Sequence, residues 1–473
     1  MIAESISALM LYLFLILAVA WLSYQRQKNA TDFILGGRKM NFWVTAFSAH
    51  ASDMSSWLFM GFPLMLFQGG LSGAWMGIGL ILFMAINWYW IAPALRRKSA
   101  DHHALTLSSF FEKSVEAGSG RLRMITALIC MIFYTAYVAA GMTTFGIIAH
   151  QLLGLSYSSG MLVGSAIMVP YLFFGGFRTL AWVDSFQALY LFAVIVAIPP
   201  ILFSHVGGWP AILAAARDQS ISLSFFPSGG KGILHTLMAI GSWGLGYFGQ
   251  PHVLTKFMGI QNPRDMKKAM AVGLSWQVIT LGASAWIGLI AIPFFQNQTL
   301  MRPDSLFPQM IQSSFSPFIV TMILCALFAA TLSTADSQLL ILGSCLAEDC
   351  YKPFLRPKAS SREILWVSRF SILLVTAIAY QIASYRSHSI YHLVQYGWSG
   401  LGATFGPLLL FTLFDSKINQ RGAWAGVIVG GIVAMIWPLW GPSVVPTLIP
   451  AFSMSSVAIY WISRITPSHP TIE

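Results

Sequence analysis

Three short polar stretches, each inside a long apolar run, carry the side chains that could bind a ligand. The first covers residues 48–57 and places Asp53 among serines in the middle of an apolar segment. A carboxylate at the centre of a membrane helix costs about 2.5–3.5 kcal/mol, and serine hydroxyls compete for backbone hydrogen bonds. This stretch therefore suits a helix that unwinds and frees carbonyl oxygens for a cation. The alternative is a polar helix face packed inside a bundle.

The second stretch, residues 241–252, contains four glycines and one proline, which argues against an unbroken helix. Trp243 and Tyr247 are four residues apart and share one face if that part is helical. The alternative is close helix packing at the glycines, with aromatic side chains at the membrane interface. Two interrupted helices about five spans apart, however, are typical of a transporter built from inverted repeats.

The third stretch, residues 329–338, combines small residues with hydroxyls. Small residues let helices approach closely, and hydroxyls bond between helices. A hard cation such as sodium takes several oxygen ligands. Ser333 and Thr334, facing carbonyls freed near Ala51 and Met54, would supply such a site. Taken alone, the stretch is explained as well by hydrogen bonding between helices; the break near Asp53 favours the cation site.

The elements that must position these stretches are membrane helices. The chain has 473 residues, of which 56% are hydrophobic and 9% charged, and its mean hydropathy is +0.69. A soluble protein has about 25% charged residues. Apolar runs of roughly 20 residues predict about thirteen helices, at 5–24, 42–68, 71–95, 122–153, 158–177, 181–204, 233–256, 270–296, 314–347, 363–384, 389–414, 420–440 and 443–464.

The basic residues predict the orientation of these helices. With the N-terminus outside, most of the 27 lysines and arginines, Lys256 among them, fall in cytoplasmic loops or the C-terminal tail. This is the asymmetry of membrane topology. The sequence predicts an outside N-terminus and a cytoplasmic C-terminus, with only four cations outside: Arg217, Lys231, Arg302 and Arg386.

Composition also excludes several classes of protein. The net charge of +11 is spread over short clusters between apolar runs, so it does not indicate a nucleic-acid partner. The loops near 96–121 and 205–232 are too short for a soluble catalytic domain, so we do not expect an enzyme. The four cysteines have no metal or redox spacing and are expected to be free thiols: Cys130, Cys325, Cys345 and Cys350.

At these stretches the sequence resembles the sodium:solute symporter family and, within it, the sodium/proline symporters. The matching residues are the runs 34–38, 52–55 and 243–252, together with Trp57 and the pair at 333–334. The similarity extends through nearly the whole chain and includes residues 134–137 and 174–177. The run at 243–252 is the most specific of these matches.

The resemblance implies an all-α polytopic membrane protein with the inverted five-plus-five repeat of leucine-type transporters. The chain, 1–473, would be a single transporter domain. Residues 5–24 would form an extra N-terminal helix, 42–204 the first repeat and 233–414 the second. Residues 420–464 would form two C-terminal helices.

The resemblance also implies a sodium site and an adjoining substrate site. Aromatic walls suit a pyrrolidine ring, and helix N-termini and hydroxyls can hold a carboxylate. The family's sodium ligands fall on the carbonyls of Ala51, Met54 and Ala330, the hydroxyls of Ser333 and Thr334, and the carboxylate of Asp53. The substrate residues fall on Ser55, Trp57, Tyr137, Trp243, Tyr247 and Gln250, with Ser52 and Ser56 nearby.

Some polar residues have open roles. Ser56 stands where the family pattern leads us to expect glycine, and Asp336 where some proline carriers lack a carboxylate; either departure could shift the substrate away from proline. Asp336 either bonds neighbouring helices or tunes cation binding. Asp184, expected at the start of a span, either caps that helix or follows a cation path. His50 is expected to be a hydrogen-bonded structural group.

The sequence therefore predicts a carrier in the cell inner membrane that couples inward sodium flow to uptake of L-proline by alternating access. Its expected partners are L-proline or a similar small solute, sodium and the lipid bilayer, with no nucleic acid and no obligate protein partner. The nearest alternative is the same fold carrying another small carboxylate, pantothenate or a sugar acid. A membrane sensor and a sodium channel are further alternatives.

Overall fold

The computed structural model describes residues 2–466 except 26, 28, 117, 227–231, 297–299, 301, 386–389 and 443. Lys231 and Arg386 therefore lie outside the described residues. Every regular element within them is helical. The α-helices are α1 (Ile2–Ser23), α2 (Ala30–Leu35), α3 (Phe42–Met54), α4 (Gly61–Gly69), α5 (Ala74–Ile86), α6 (Ala92–Asp101), α7 (Leu107–Ser114), α8 (Arg121–Leu153), α9 (Tyr157–His205), α10 (Gly208–Asp218), α11 (Gly232–Gly244), α12 (Pro251–Gly259), α13 (Met266–Phe294), α14 (Leu306–Gln312), α15 (Pro317–Ser344), α16 (Lys352–Phe354), α17 (Ser361–Ser384), α18 (Ile390–Phe414), α19 (Gln420–Trp440) and α20 (Leu448–Ile465).

Ten helical stretches of the described part are long and apolar enough to cross a membrane. The longest, α9, has 49 residues, or about 74 Å as a straight helix, against about 30 Å of hydrocarbon. It does not run straight, because Gly176 has φ 61° and ψ −166°. A Cβ at Gly176 would lie 2.8 Å from the Phe33 ring, so α2 packs tightly against this corner. The predicted separate helices at 158–177 and 181–204 are thus joined through Gly176.

Two predicted loops contain helices of their own. The segment near 96–121 contains α7, which begins after Thr106, whose side chain accepts a hydrogen bond from the Ser109 N–H at 3.0 Å. The segment near 205–232 contains α10. Both helices are short, with 8 and 11 residues, and a window sized for a membrane span does not detect them.

The second predicted span is interrupted in the middle. Asn41 starts α3 by accepting a hydrogen bond from the Val44 N–H at 2.8 Å. The helix ends at Met54 because Ser55 adopts φ 48°. Residues other than glycine rarely have a positive φ. A single 3-10 turn at Ser56–Leu58 follows, and α4 then continues the path. With 13 and 9 residues, neither half is a full membrane span.

The predicted span at 233–256 is interrupted as well. Here α11 gives way to a 3-10 segment, Leu245–Gly249, and α12 begins with Pro251 in its first turn. Proline is favoured at that position because the first helical N–H needs no partner. A Cβ at Gly246 would lie 2.0 Å from Trp398 Nε1, and one at Gly249 would lie 2.5 Å from the Leu401 carbonyl oxygen. Glycine is therefore required for this segment to approach α18.

Two buried helices hold the interruptions in place. Helix α15 packs against α3, α8 and α9, and nearly all of its residues from Val320 onward are buried. Helix α18 packs against α8 and against the segment Leu245–Gly249. Each interruption thus lies against a continuous helix, which fixes the positions of the freed backbone groups.

Candidate ion and substrate site

The predicted sodium ligands meet where α3 lies against α15. The Ser333 hydroxyl donates to the Ala51 carbonyl at 2.9 Å and also lies 3.2 Å from the Ala330 carbonyl oxygen. The Thr334 hydroxyl donates to the same Ala330 carbonyl at 3.1 Å. All four residues are buried. The structure therefore places two hydroxyls and two carbonyls of the predicted set together.

Met54, the remaining predicted carbonyl ligand, is the last residue of α3. It lies three residues after Ala51, so the two residues share one helix face, and it is buried. A hydroxyl oxygen keeps acceptor lone pairs when its proton turns away. The same Ser333 and Thr334 side chains that now donate to carbonyls can therefore coordinate a cation beside those carbonyls.

Asp53 connects the two interrupted helices. Its Oδ2 accepts a hydrogen bond from the Tyr247 hydroxyl, which lies in the second interruption. The Tyr247 oxygen in turn accepts from Gln277 Nε2 of α13 at 3.0 Å. All three side chains are buried. A direct hydrogen bond thus joins the carboxylate of the predicted sodium site to a tyrosine of the predicted substrate site.

The predicted aromatic residues form one cluster. The ring centroids of Trp57 and Trp243 are 4.9 Å apart, and those of Trp243 and Trp398 are 5.7 Å apart. Tyr247 packs edge-on against Trp398 at 5.2 Å. The Tyr137 hydroxyl interacts with Ser55 at the break. Trp57, Trp243 and Tyr247 therefore belong to one group of packed rings that includes Trp398, and Tyr137 contacts the first break at Ser55.

Several buried polar atoms in this region have no protein partner among the described residues, and two of them belong to predicted substrate residues. One is the indole N–H of Trp57, a donor, and the other is the amide oxygen of Gln250, an acceptor. The other end of Gln250 donates from Nε2 to the Trp398 carbonyl at 3.1 Å. Buried polar groups are normally paired. An unpaired donor and an unpaired acceptor fit a small ligand that carries both kinds of group.

Ser52 and Ser56 lie at the break, and each makes a side-chain hydrogen bond to α3 or α8. The Ser52 hydroxyl donates to the Ala49 carbonyl of its own helix at 3.1 Å. The Ser56 hydroxyl accepts from Thr144 of α8 at 3.2 Å. These contacts tie the break to α3 and α8.

The prediction that Asp184 starts a helix is wrong. It lies within α9, eight residues beyond Gly176, and cannot cap a helix there. Its Oδ2 is 2.8 Å from the ammonium of Lys256, and both side chains are buried. Lys256 was expected in a cytoplasmic loop but belongs to α12. The two residues are 72 positions apart in the sequence, so no local sequence pattern indicates that they form a pair.

Asp336 bonds to a neighbouring helix, which is one of the two roles considered for it. Its Oδ2 accepts a hydrogen bond from the Tyr171 hydroxyl of α9 at 2.6 Å. His50 likewise accepts from the Trp88 indole N–H at 3.1 Å, as expected for a structural histidine. These contacts join α15 to α9 and α3 to the segment after α5.

Sequence reasoning missed Trp398 and Gln277. Trp398 donates from Nε1 to the Trp243 carbonyl at 2.9 Å. It stands between Gly397 and Ser399 in α18, and this aromatic residue beside a glycine in a membrane helix was the available signal. Gln277 is an amide in the apolar helix α13, and such a buried polar residue could have been singled out.

The aromatic region is closed to solvent, since Trp57 and Trp243 are each 4% exposed and Tyr247 is 0% exposed. A separate cavity of about 460 Å³ lies among α8, α17, α18 and α19. Its walls include Ala136, Tyr396 and Pro438, and none of the predicted substrate residues lines it. The unpaired polar groups of Trp57 and Gln250 therefore lie outside this cavity.

Two interrupted membrane helices joined at buried polar groups define an ion-coupled membrane transporter. The family model for the sodium:solute symporter family matches residues 33–430. The chain is 36% identical to the high-affinity proline transporter PutP of Bacillus subtilis, with 95% of this chain and 96% of that one covered. It is 34% identical to the sodium/proline symporter of Escherichia coli, with 96% and 91% covered. The chain belongs to the sodium:solute symporter family.

A solved structure of a Na⁺-coupled sialic acid symporter has the same fold. It matches with a TM-score of 0.83 over 98% of each chain at 19% identity. The family model and the relatives confirm the predicted family, and with it a sodium-coupled transporter of the cell inner membrane that crosses the bilayer several times and is not an enzyme.

Proposed function

We propose that this transporter couples inward sodium flow to uptake of L-proline by alternating access. The observation that carries the proposal is the hydrogen bond from Tyr247 to Asp53, which joins the ion-binding stretch to the substrate-binding stretch. Relatives at 34–36% identity are proline transporters, which supports the choice of substrate.

The proposed sodium site consists of the carbonyls of Ala51, Met54 and Ala330 with the hydroxyls of Ser333 and Thr334, and Asp53 supplies the neighbouring charge. Neutral oxygens beside one carboxylate hold sodium weakly enough to release it. Sodium that interacts with the Asp53 carboxylate weakens the hydrogen bond from Tyr247, and the Tyr247 hydroxyl is then free to bind the substrate. Each ligand then strengthens the binding of the other by the same factor.

The proposed proline site uses the unpaired groups between the breaks. The rings of Trp57 and Trp243 enclose the apolar face of the pyrrolidine, and the Trp57 indole N–H donates to the carboxylate. The Gln250 amide oxygen accepts from the secondary ammonium. Tyr137, Tyr247 and the hydroxyl of Ser55 close the site, while Ser52 and Ser56 hold the break beneath it.

We also propose thirteen membrane crossings. Helices α3 and α4 make one crossing together, α11 and α12 make another, and α9 makes two on either side of Gly176. Residues 42–204 then form the first inverted repeat and 233–414 the second, with the N-terminus outside and the C-terminus in the cytoplasm.

The membrane potential contributes ~2.3 kcal/mol per sodium ion for each 100 mV.

The test is uptake of radiolabelled L-proline into proteoliposomes with and without an inward sodium gradient. Uptake should depend on the gradient and should be abolished by a large excess of unlabelled proline. The second candidate is another small carboxylate, favoured by Ser56 at the break and by Asp336 beside the sodium residues. If excess proline leaves uptake of such a solute unchanged, the proline assignment is wrong.

A further inference from the structure

A polar cavity lies where the segment after α1, helix α2 and the corner of α9 meet. Its volume is about 360 Å³, and its walls include Gln27, Asn29, Asp32, Lys39 and Arg178. Two cations and one carboxylate thus line it, with amide groups beside them. None of the proposed sodium or proline residues belongs to these walls. The cavity is therefore a separate place, and its net positive charge favours an anion.

The two cations of this cavity lack partners in the protein. Neither Arg178 nor Lys39 makes an ion pair within the part of the chain that the structure describes. The Arg178 Nε atom is buried and has no hydrogen-bond partner among the described residues, although buried donors are normally paired. The neighbouring Arg38, in contrast, donates to three backbone carbonyls. A guanidinium without a partner offers a planar set of donors that matches a phosphate group.

Gln27 connects the cavity to an exposed aromatic surface. Its Nε2 donates to the Gly175 carbonyl at 2.6 Å, and its Oε1 accepts from Arg369 Nη2 at 3.4 Å. The Arg369 guanidinium lies 5.1 Å from the centroid of the Trp366 ring. Trp366 is 40% and Phe370 60% exposed, and aromatic side chains such as tryptophan are enriched where hydrocarbon meets the headgroups. The cavity thus borders a surface that suits lipid acyl chains.

The proposed topology places this cavity at the cytoplasmic side of the membrane. Helix α1 ends there, α3 and α17 begin there, and the corner of α9 joins two crossings there. The segment between α1 and α3 carries four basic residues in the sequence, Arg26, Lys28, Arg38 and Lys39. The cytoplasmic leaflet is negatively charged, and basic pockets between helices on that side bind lipid headgroups. The location and the charge therefore favour the same kind of ligand.

We infer that Arg178 and Lys39, with the amides of Gln27 and Asn29, form a binding site for the phosphate of an anionic phospholipid. The Arg178 guanidinium donates to the phosphate oxygens, Lys39 adds a second charge, and the acyl chains lie along the exposed aromatic surface. The bound lipid would join the segment before α3 to the corner of α9. The inference rests on the proposed topology for the choice of leaflet, and it involves neither sodium nor proline.

The test is a titration of the detergent-purified transporter with phosphatidylglycerol, with bound lipid measured by native mass spectrometry. The wild type should bind phosphatidylglycerol more tightly than the zwitterionic phosphatidylcholine. Arg178→Gln should weaken phosphatidylglycerol binding about fivefold, because one basic residue near an anionic lipid contributes about that factor. Lys39→Gln should have the same effect, and this exposed side chain keeps the test valid where Arg178→Gln does not fold. Equal affinities for the two lipids, or unchanged affinity in the folded variants, would overturn the inference.

The matched control is Arg421→Gln, which removes an exposed cation from the first turn of α19. It should leave the affinity for phosphatidylglycerol unchanged, and an equal loss there would reduce the site to a general effect of charge. Excess inorganic phosphate at constant ionic strength should not displace the lipid from the wild type. Displacement would assign the cavity to free phosphate and overturn the lipid assignment. Loss of sodium-dependent proline uptake in the wild type contradicts only the proposed function, because lipid binding is measured without sodium or proline.

Discussion

Ser333 serves two helices with one oxygen, since it lies 2.9 Å from the Ala51 carbonyl and 3.2 Å from the Ala330 carbonyl. Ser333→Ala should raise the sodium concentration for half-maximal uptake about tenfold, because losing one ligand of about 1.4 kcal/mol corresponds to that factor. Sodium titration of proline uptake in proteoliposomes measures this change.

The matched control is Thr331→Val on the same helix. The Thr331 hydroxyl donates to the Leu327 carbonyl of its own helix at 2.8 Å and is equally buried. Its removal should leave the sodium concentration for half-maximal uptake nearly unchanged. Equal effects of the two substitutions would show that Ser333 acts through packing alone.

Asp53 supplies the charge of the proposed sodium site and accepts the Tyr247 hydrogen bond. Asp53→Asn keeps the shape of the side chain and removes its charge. We expect the sodium concentration for half-maximal uptake to rise by more than the maximal rate at saturating sodium falls. Uptake measured over a range of sodium concentrations tests this expectation, and an unchanged sodium dependence would remove Asp53 from the site.

Trp243 presents its ring to Trp57 and Trp398. Trp243→Ala should raise the proline concentration for half-maximal uptake about tenfold, because the loss of an aromatic wall costs on the order of 1.4 kcal/mol of binding. Trp440→Ala is the control, since that ring is 86% exposed. Substrate titration at saturating sodium gives the comparison, and a normal proline affinity in Trp243→Ala places the pocket elsewhere.

At the scale of elements, the close approach of the second interruption to α18 depends on glycine. A Cβ at Gly249 would lie 2.5 Å from the Leu401 carbonyl oxygen and 2.7 Å from the Gly406 nitrogen, both backbone atoms. Gly249→Ala should therefore displace the interruption, abolish most uptake and lower the melting temperature of the purified transporter. Thermal unfolding in detergent and proline uptake report the two effects.

Gly282 provides a control within α13, where a Cβ would meet no atom within 4 Å. Alanine is favoured over glycine inside a helix by up to about 1 kcal/mol. Gly282→Ala should thus keep full uptake and leave the melting temperature equal or raised. If Gly249→Ala behaved in the same way, the packing of this segment against α18 would not limit transport.

The sequence predicted the interruptions better than their surroundings. Serines around Asp53 and glycines around Tyr247 are local signals, and the breaks fall at Ser55 and at Leu245–Gly249. The pairing of Lys256 with Asp184 joins residues distant along the chain, so no local pattern indicates it. The predicted boundary between 158–177 and 181–204 falls just beyond the corner at Gly176, because hydropathy reports apolar length and does not report φ.

At the scale of the whole molecule, the proposed thirteen crossings put the two ends of the chain on opposite sides of the membrane. A C-terminal green fluorescent protein fusion should fluoresce, and a C-terminal alkaline phosphatase fusion should be inactive, because each enzyme or fluorophore matures on one side only. Phosphatase activity at the C-terminus would contradict an odd number of crossings with the N-terminus outside. Expression levels measured by immunoblot serve as the control.

The bond between Tyr247 and Asp53 also bears on the half of the cycle in which nothing is carried. A carrier must also change conformation with its site empty, and buried polar groups without hydrogen-bond partners make that change costly. Here Asp53 and Tyr247 pair with each other when sodium and substrate are absent, which lowers the cost of the unloaded return. When sodium alone is bound to Asp53, the Tyr247 hydroxyl loses its hydrogen-bond partner. This cost disfavours the movement of sodium without substrate.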